Sequence, residues 1–116
     1  MRVAVIGSRS LCVPDLAAYL PADTTVIISG GAKGIDMSAR EFAMDHGIEL
    51  IEFYPKYVKY GRAAPLYRNM QIIESADCVY AFWDGKSRGT AFTVQKCKES
   101  GKPCQVHMMK NNPGEA

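Results

Sequence analysis

Two segments combine glycines, hydroxyls and cations in a pattern suited to holding an anion. One reads Ser29-Gly30-Gly31-Ala32-Lys33-Gly34-Ile35-Asp36, the other Trp83-Asp84-Gly85-Lys86-Ser87-Arg88-Gly89-Thr90. Each follows an apolar run and precedes a helical pattern. Glycine there lets the backbone turn sharply and bring its N–H groups up to a ligand. The first turn of a helix adds unpaired N–H donors and partial positive charge, so phosphate is well placed against it. Lys33, Lys86 and Arg88 add point charges. Taken singly, each segment also reads as a tight strand-to-helix turn with no ligand. Two such turns on one sheet edge are harder to explain that way. Neither matches GxxxxGK[ST] or GxGxxG, and the first follows the second apolar run, so an ATPase P-loop and a standard NAD fold are both disfavoured.

Other polar residues fall in equivalent places. Gly7-Ser8-Arg9-Ser10 follows the first apolar run, and Arg68-Asn69 lies near the start of a helical stripe. Either arginine can grip phosphate bidentately or form a surface salt bridge. Asp36 caps its helix or meets a ribose hydroxyl, with capping favoured. Trp83 stacks on a base or packs at the rim, and Asp84 is an acid, a base or, more simply, a turn residue. The stretch from Tyr54 to Ala63 interleaves Tyr54, Tyr57 and Tyr60 with Lys56, Lys59 and Arg62. That alternation suits single-stranded nucleic acid, a lid over a nucleotide, or an exposed loop anchored by its tyrosines. The candidate ligand-binding set is thus Gly7, Ser8, Arg9, Ser29, Gly30, Gly31, Lys33, Gly34, Asp36, Arg68, Asn69, Trp83, Asp84, Gly85, Ser87, Gly89 and Thr90. No catalytic residue is assigned.

The elements that must position these residues follow from hydrophobic periodicity. Strands are expected at Val3 to Ile6, Thr25 to Ile28, Ile48 to Phe53, Cys78 to Phe82 and Pro103 to His107. Between them run four helical patterns. Val13, Leu16, Ala17 and Leu20 mark the first, with Pro14 near its start. Ile35, Ala39, Phe42, Ala43 and His46 mark the second, which stops at Gly47. Leu66, Met70 and Ile73 stripe the third, and the fourth runs from about Thr90 to Ser100, before Gly101. Continuous β-branched runs such as VAVI and TVII belong to strands buried on both faces. With right-handed crossovers, this alternation makes a three-layer, Rossmann-like α/β fold: a doubly wound parallel sheet of five strands with helices on both faces. In such sheets the ligand binds beyond the carboxyl ends of the strands, where the candidate segments lie.

Composition narrows the class. At 116 residues and 47% hydrophobic, the chain suits one compact domain. Residues 1–110 are expected to form it, and the polar, Pro- and Gly-bearing residues 111–116 a flexible tail. No apolar stretch approaches a membrane span, and the N-terminus lacks a secretory cleavage pattern, so a cytoplasmic setting is expected. A net charge of +2 argues against whole-surface binding of nucleic acid, though not against a local basic site. Cys12, Cys78, Cys97 and Cys104 form no CxxC pair, and His46 and His107 are the only histidines. Neither a metal site nor a required metal cofactor is expected. The cysteines are read as free thiols.

In order along the chain, GSR, SGGAKGID, RN and DGKSRGT resemble the SLOG superfamily. That Rossmann-like group includes the cytokinin-activating LOG phosphoribohydrolases and the DprA single-strand DNA-binding proteins. The nearest likeness is to its small stand-alone members related to YpsA and YspA. The resemblance implies a nucleotide-derived ligand at the strand ends and a homodimer. Two departures matter. The glutamate of the LOG motif PGGxGTxxE falls on Thr93, whose hydroxyl cannot do a carboxylate's work at an oxocarbenium-like centre. DprA proteins usually carry histidine where this chain has Arg40, and longer flanking sequence. The leading expectation is a sensor or carrier of a nucleotide or ADP-ribose-like ligand. Phosphoribohydrolase-like N-glycosidase activity and DprA-like DNA binding are the alternatives.

Overall fold

The expected five parallel strands are present, and they assemble into one sheet. The structure, a computed structural model, describes residues 1–110. The tail expected at residues 111–116 lies outside the described residues. The strands are β1 (Arg2–Gly7), β2 (Val26–Ser29), β3 (Glu49–Glu52), β4 (Cys78–Trp83) and β5 (Cys104–Met108). Their order is β3-β2-β1-β4-β5, with every neighbouring pair parallel. The chain lays down β1, β2 and β3 in one direction, then returns to place β4 on the other side of β1. That reversal is a topological switch point, where neighbouring loops leave the sheet in opposite directions and open a crevice.

Strand alternation builds two cores. Val3, Val5, Ile27 and Phe82 point to one face, and Ala4, Ile6, Ile28, Val79 and Ala81 to the other. The helices are α1 (Ile35–Asp45), α2 (Tyr57–Tyr60), α3 (Ala64–Ser75) and α4 (Arg88–Ser100). The first face is covered by Ile35, Ala39 and Ala43 of α1 together with Leu11, Val13, Leu16 and Leu20. The second is covered by Ile72, Ile73 and Ala76, in α3 and just beyond it, and by Val94 and Cys97 of α4. Gly47 follows α1 at φ 63° and Gly101 follows α4 at φ 74°, the left-handed stops read from the sequence. No helix among the described residues is long and apolar enough to cross a membrane.

Two expectations need correction. The segment around Val13 to Leu20 is not an α-helix, and only Leu16–Ala18 makes a single 3-10 turn. Its apolar residues are buried as expected, but Pro14 and Pro21 bracket a stretch too short to offset helix nucleation. The Val13 N–H donates to Ser38 Oγ at 3.0 Å instead. In α3 the predicted stripe is also rotated. Ile73 is buried with Ile72, whereas Leu66 and Met70 are about two-fifths exposed, at 40% and 39%. The first half of that helix faces the strand ends rather than the sheet.

Candidate functional site

The loops after β1, β2 and β4 meet α3 around a cavity of about 430 Å³ at the switch point. Gly7, Ser8, Arg9 and Ser10 line it from the first loop, and Gly30, Ala32 and Asp36 from the second. Pro65, Leu66, Arg68, Asn69 and Ile72 form the α3 wall. Asp84, Ser87, Gly89, Thr90 and Thr93 come from the fourth loop and the first turns of α4, and Ile6 completes the lining. Both glycine-rich segments therefore contribute to a single concavity.

Ser8 holds this arrangement together. It is 1% exposed. Its N–H donates to the Phe82 carbonyl at 3.0 Å, its carbonyl accepts from Ile35 N–H at 3.4 Å, and its Oγ accepts from Asp84 N–H at 3.1 Å. One small residue thus ties the end of β1 to the end of β4 and the start of α1. Its neighbour Gly7 must be glycine, since a Cβ there would run into the Phe82 carbonyl and lie 2.6 Å from Ile35 Cγ1.

Asp84 shapes the fourth loop. Its Oδ1 accepts from the N–H groups of Lys86 at 2.8 Å and Ser87 at 2.9 Å, and its Oδ2 from Ser10 Oγ at 3.1 Å. The two backbone donors, followed by the serine hydroxyls, hold its carboxyl down at about 2, because they stabilise the ionised form. Ser87 then caps α4, its Oγ accepting from Thr90 N–H at 3.3 Å. Gly89, in the first turn, has nothing within 4 Å of where a Cβ would stand. The start of α4 therefore faces open space with bare backbone. Thr93 also lines the cavity, but its Oγ1 donates to the Gly89 carbonyl at 2.9 Å.

On the opposite wall, Arg68 reaches across to the second loop. Nη1 donates to the carbonyls of Gly30 at 2.7 Å and Phe53 at 3.4 Å, and Nε to Asn69 Oδ1 at 2.9 Å. A Cβ on Gly30 would lie 2.6 Å from that Nη1, so glycine makes room for the guanidinium. Burial lowers the Arg68 pKa from its ordinary value, and the charge of Asp36 opposes the shift. Asp36 is itself buried, which raises its carboxyl; the Ala32 N–H, at 3.1 Å from Oδ2, and the Arg68 charge act against this. Asp36 therefore does not cap α1, whose N-cap is Gly34 with no side-chain cap; from the first turn it closes the preceding loop through Ala32 N–H and borders the cavity.

The remaining candidates lie outside the lining. Gly34, at φ 68°, abuts the carbonyls of Ser8 and Arg9, which leaves no room for a side chain. Gly31, at φ 69°, makes room for the Tyr54 ring, and Gly85, at φ 82°, turns the fourth loop. Lys33 is exposed. Ser29 is fully buried, and its hydroxyl acts with the Ala32 N–H to hold the Asp36 carboxyl down against its burial. Trp83 Nε1 donates to the Ser87 carbonyl at 3.0 Å, so the indole braces the loop.

Sequence reading passed over Ala32, Pro65, Leu66 and Ile72 as lining residues, because apolar side chains carry no chemical signal of a site. It also missed a network on the flank. Arg40 donates from Nε to Glu52 Oε2 at 3.0 Å and from Nη2 to Oε1 at 2.8 Å, and Tyr54 Oη donates to Oε1 at 2.6 Å. Arg40, first among these partners, holds the Glu52 carboxyl below its usual range. No group of histidine, cysteine and acidic side chains that could hold a metal ion occurs among the described residues.

Comparison of the chain with protein-family models, with curated proteins and with solved structures found no match in any of the three.

Proposed function

We propose that the switch-point cavity binds a nucleotide or nucleotide-derived phosphorylated ligand, ADP-ribose-like or a nucleoside monophosphate, as a sensor or carrier. The observation that carries this reading is the convergence of Arg9, Arg68 and the open first turn of α4 on one cavity. Charge and unpaired backbone donors together suit a phosphate. The cavity is also roomy enough for more than an inorganic anion, since small-molecule sites span roughly 300–1,000 Å³. The order of GSR, SGGAKGID, RN and DGKSRGT supports a place in the SLOG superfamily. Residues 1–110 then act as one domain, in the cytoplasm, with four unpaired thiols in keeping with that compartment.

Binding is preferred over N-glycosidic cleavage because Thr93 occupies the wall where LOG enzymes supply a glutamate. Its hydroxyl is already engaged by the backbone. Titration calorimetry with AMP, ADP, ADP-ribose and NAD tests the reading. Heat with at least one of them is expected, and no heat from any of them overturns it. Incubation with nucleoside monophosphates should release no free base on chromatography. Release of base would replace the carrier by an enzyme. The solvent-facing Tyr54 and Tyr57 beside Lys56 and Lys59 favour single-stranded DNA as the second reading. Salt-sensitive binding of oligo-dT in the absence of nucleotide binding would select it.

A further inference from the structure

Cys97 and Cys104 bracket the turn from α4 into β5. The helix stops at Gly101, and the Lys102 N–H then donates back to the Cys97 carbonyl at 2.9 Å. This folds the chain sharply, so that Cys104 enters the sheet opposite Val79. Val79 and Cys97 belong to the same core cluster, and Cys104 packs against it. The two cysteines are therefore brought to one core cluster from adjoining elements, α4 and β5.

They are not equivalent. Cys97 is fully buried, whereas Cys104 is half-buried and open to solvent at one side. The Cys97 thiol, aided by the charge of Lys98, draws the Cys104 thiol below its ordinary range. Contact with Cys104, together with burial, pushes Cys97 up. A thiol reachable from solvent, packed in one cluster with a second thiol shielded from it, supplies the attacking and the resolving sulfur of thiol–disulfide exchange.

We infer that Cys97 and Cys104 are a reversible redox pair, closed into an intramolecular disulfide by low-molecular-weight disulfides of the glutathione type. The Cys104 thiolate attacks one sulfur of glutathione disulfide, forming a mixed disulfide and expelling one glutathione thiolate. The expelled glutathione thiolate then takes the Cys97 proton, and the Cys97 sulfur attacks Cys104 Sγ, expelling the second glutathione. Two protein thiols and one glutathione disulfide become one protein disulfide and two glutathione molecules. Excess glutathione runs the sequence backwards. Cys97 sits on the helix whose first turn borders the cavity, but the inference is independent of any ligand there.

The test uses the full chain. The protein is incubated with glutathione disulfide, quenched in acid, alkylated under denaturing conditions and mapped by mass spectrometry. The expected product carries a Cys97–Cys104 cross-link, has lost the mass of two hydrogens at that pair, and reverts with dithiothreitol. Cys97→Ser should trap a glutathione adduct on Cys104, which a purely structural thiol would not accumulate, and Cys104→Ser should leave Cys97 unmodified. In the parent protein, full alkylation of both Cys97 and Cys104 would overturn the inference. So would a lasting glutathione adduct on Cys104. Neither reading depends on a variant folding.

Discussion

Arg9 and Arg68 bring the same charge to the same cavity and differ in what else they hold. Arg9 is exposed. Arg68 supplies the hydrogen bonds to the Gly30 and Phe53 carbonyls. Replacing Arg9 by Ala should therefore raise the Kd for ADP-ribose about tenfold, the order of one charge-assisted hydrogen bond, and leave Tm unchanged. Arg68→Ala should weaken binding and also lower stability by about 1–3 kcal/mol, because the Gly30 carbonyl loses its donor. Calorimetry and thermal melting on both variants separate the two roles; equal Tm losses would mean that Arg9 is structural as well. Asp84 adds a pH signature. Its folded carboxyl titrates at about 2 against an ordinary 3.8, so the folded state holds that proton less tightly than the unfolded chain. The resulting stability is present above the ordinary value and is lost as pH falls toward about 2. Asp84→Asn, which cannot ionise, should show a smaller loss of Tm over that interval than the parent. Parallel melting curves would remove Asp84 from the acid response.

At the scale of elements, glycines with similar sequence surroundings turn out to have opposite duties. Gly34 combines φ 68° with direct contact to the Ser8 and Arg9 carbonyls. Its substitution by Ala should cost about 2 kcal/mol or more, through backbone strain and steric overlap. Gly89 sits in the first turn of α4 with nothing near its missing Cβ. There Ala should leave stability unchanged or raise it by up to about 1 kcal/mol, while weakening ligand binding by filling the space in front of the helix start. If Gly89→Ala binds ADP-ribose as well as the parent does, the ligand does not approach α4. Sequence could not make this distinction. It shows that glycine is present, whereas the neighbour of the absent Cβ depends on which loop lies across from it. Strands were legible because β-branched runs such as VAVI admit few alternatives, and α1 was legible from Ile35, Ala39 and Ala43 on one stripe. The first crossover was legible only as a set of buried residues. Leu16 and Leu20 face the sheet at helical spacing, yet the prolines and the Ser38 hydroxyl decide the backbone. In α3 the pattern of Leu66 and Met70 misled because Leu66 lines the cavity and Met70 faces outward, so neither serves the core.

Over the whole molecule, strand order explains why residues so far apart in sequence share one wall. With β1 between β2 and β4, the loops carrying Ser8, Gly30 and Asp84 leave adjacent strand ends, and α3 crosses beside them. The same topology leaves the outer side of α2 and α3 uncovered. These two helices are joined by the stacked rings of Tyr60 and Tyr67, 4.1 Å apart. Outward they present Tyr57, Val58 and Met70, with Val58 wholly in solvent. Exposed large apolar side chains mark association surfaces where they form one patch, and in a homo-oligomer the commonest solution is a two-fold pairing of one patch with itself. Were the homodimer that the resemblance implies to form, this side is where its pairing is predicted. A charge placed at the centre of a self-pairing patch meets its own copy, so Val58→Glu should convert the dimer to a monomer in sedimentation velocity while leaving Tm nearly unchanged, the side chain being free of core contacts. Leu66 belongs both to this side of α3 and to the cavity wall, so pairing through this side would border the cavity. By linkage, a ligand that binds the dimer better must also favour dimerisation by the same factor. ADP-ribose should shift the monomer–dimer equilibrium of the parent only where it binds the two states unequally. A parent chain that sediments as a monomer with and without the nucleotide would rule out this interface.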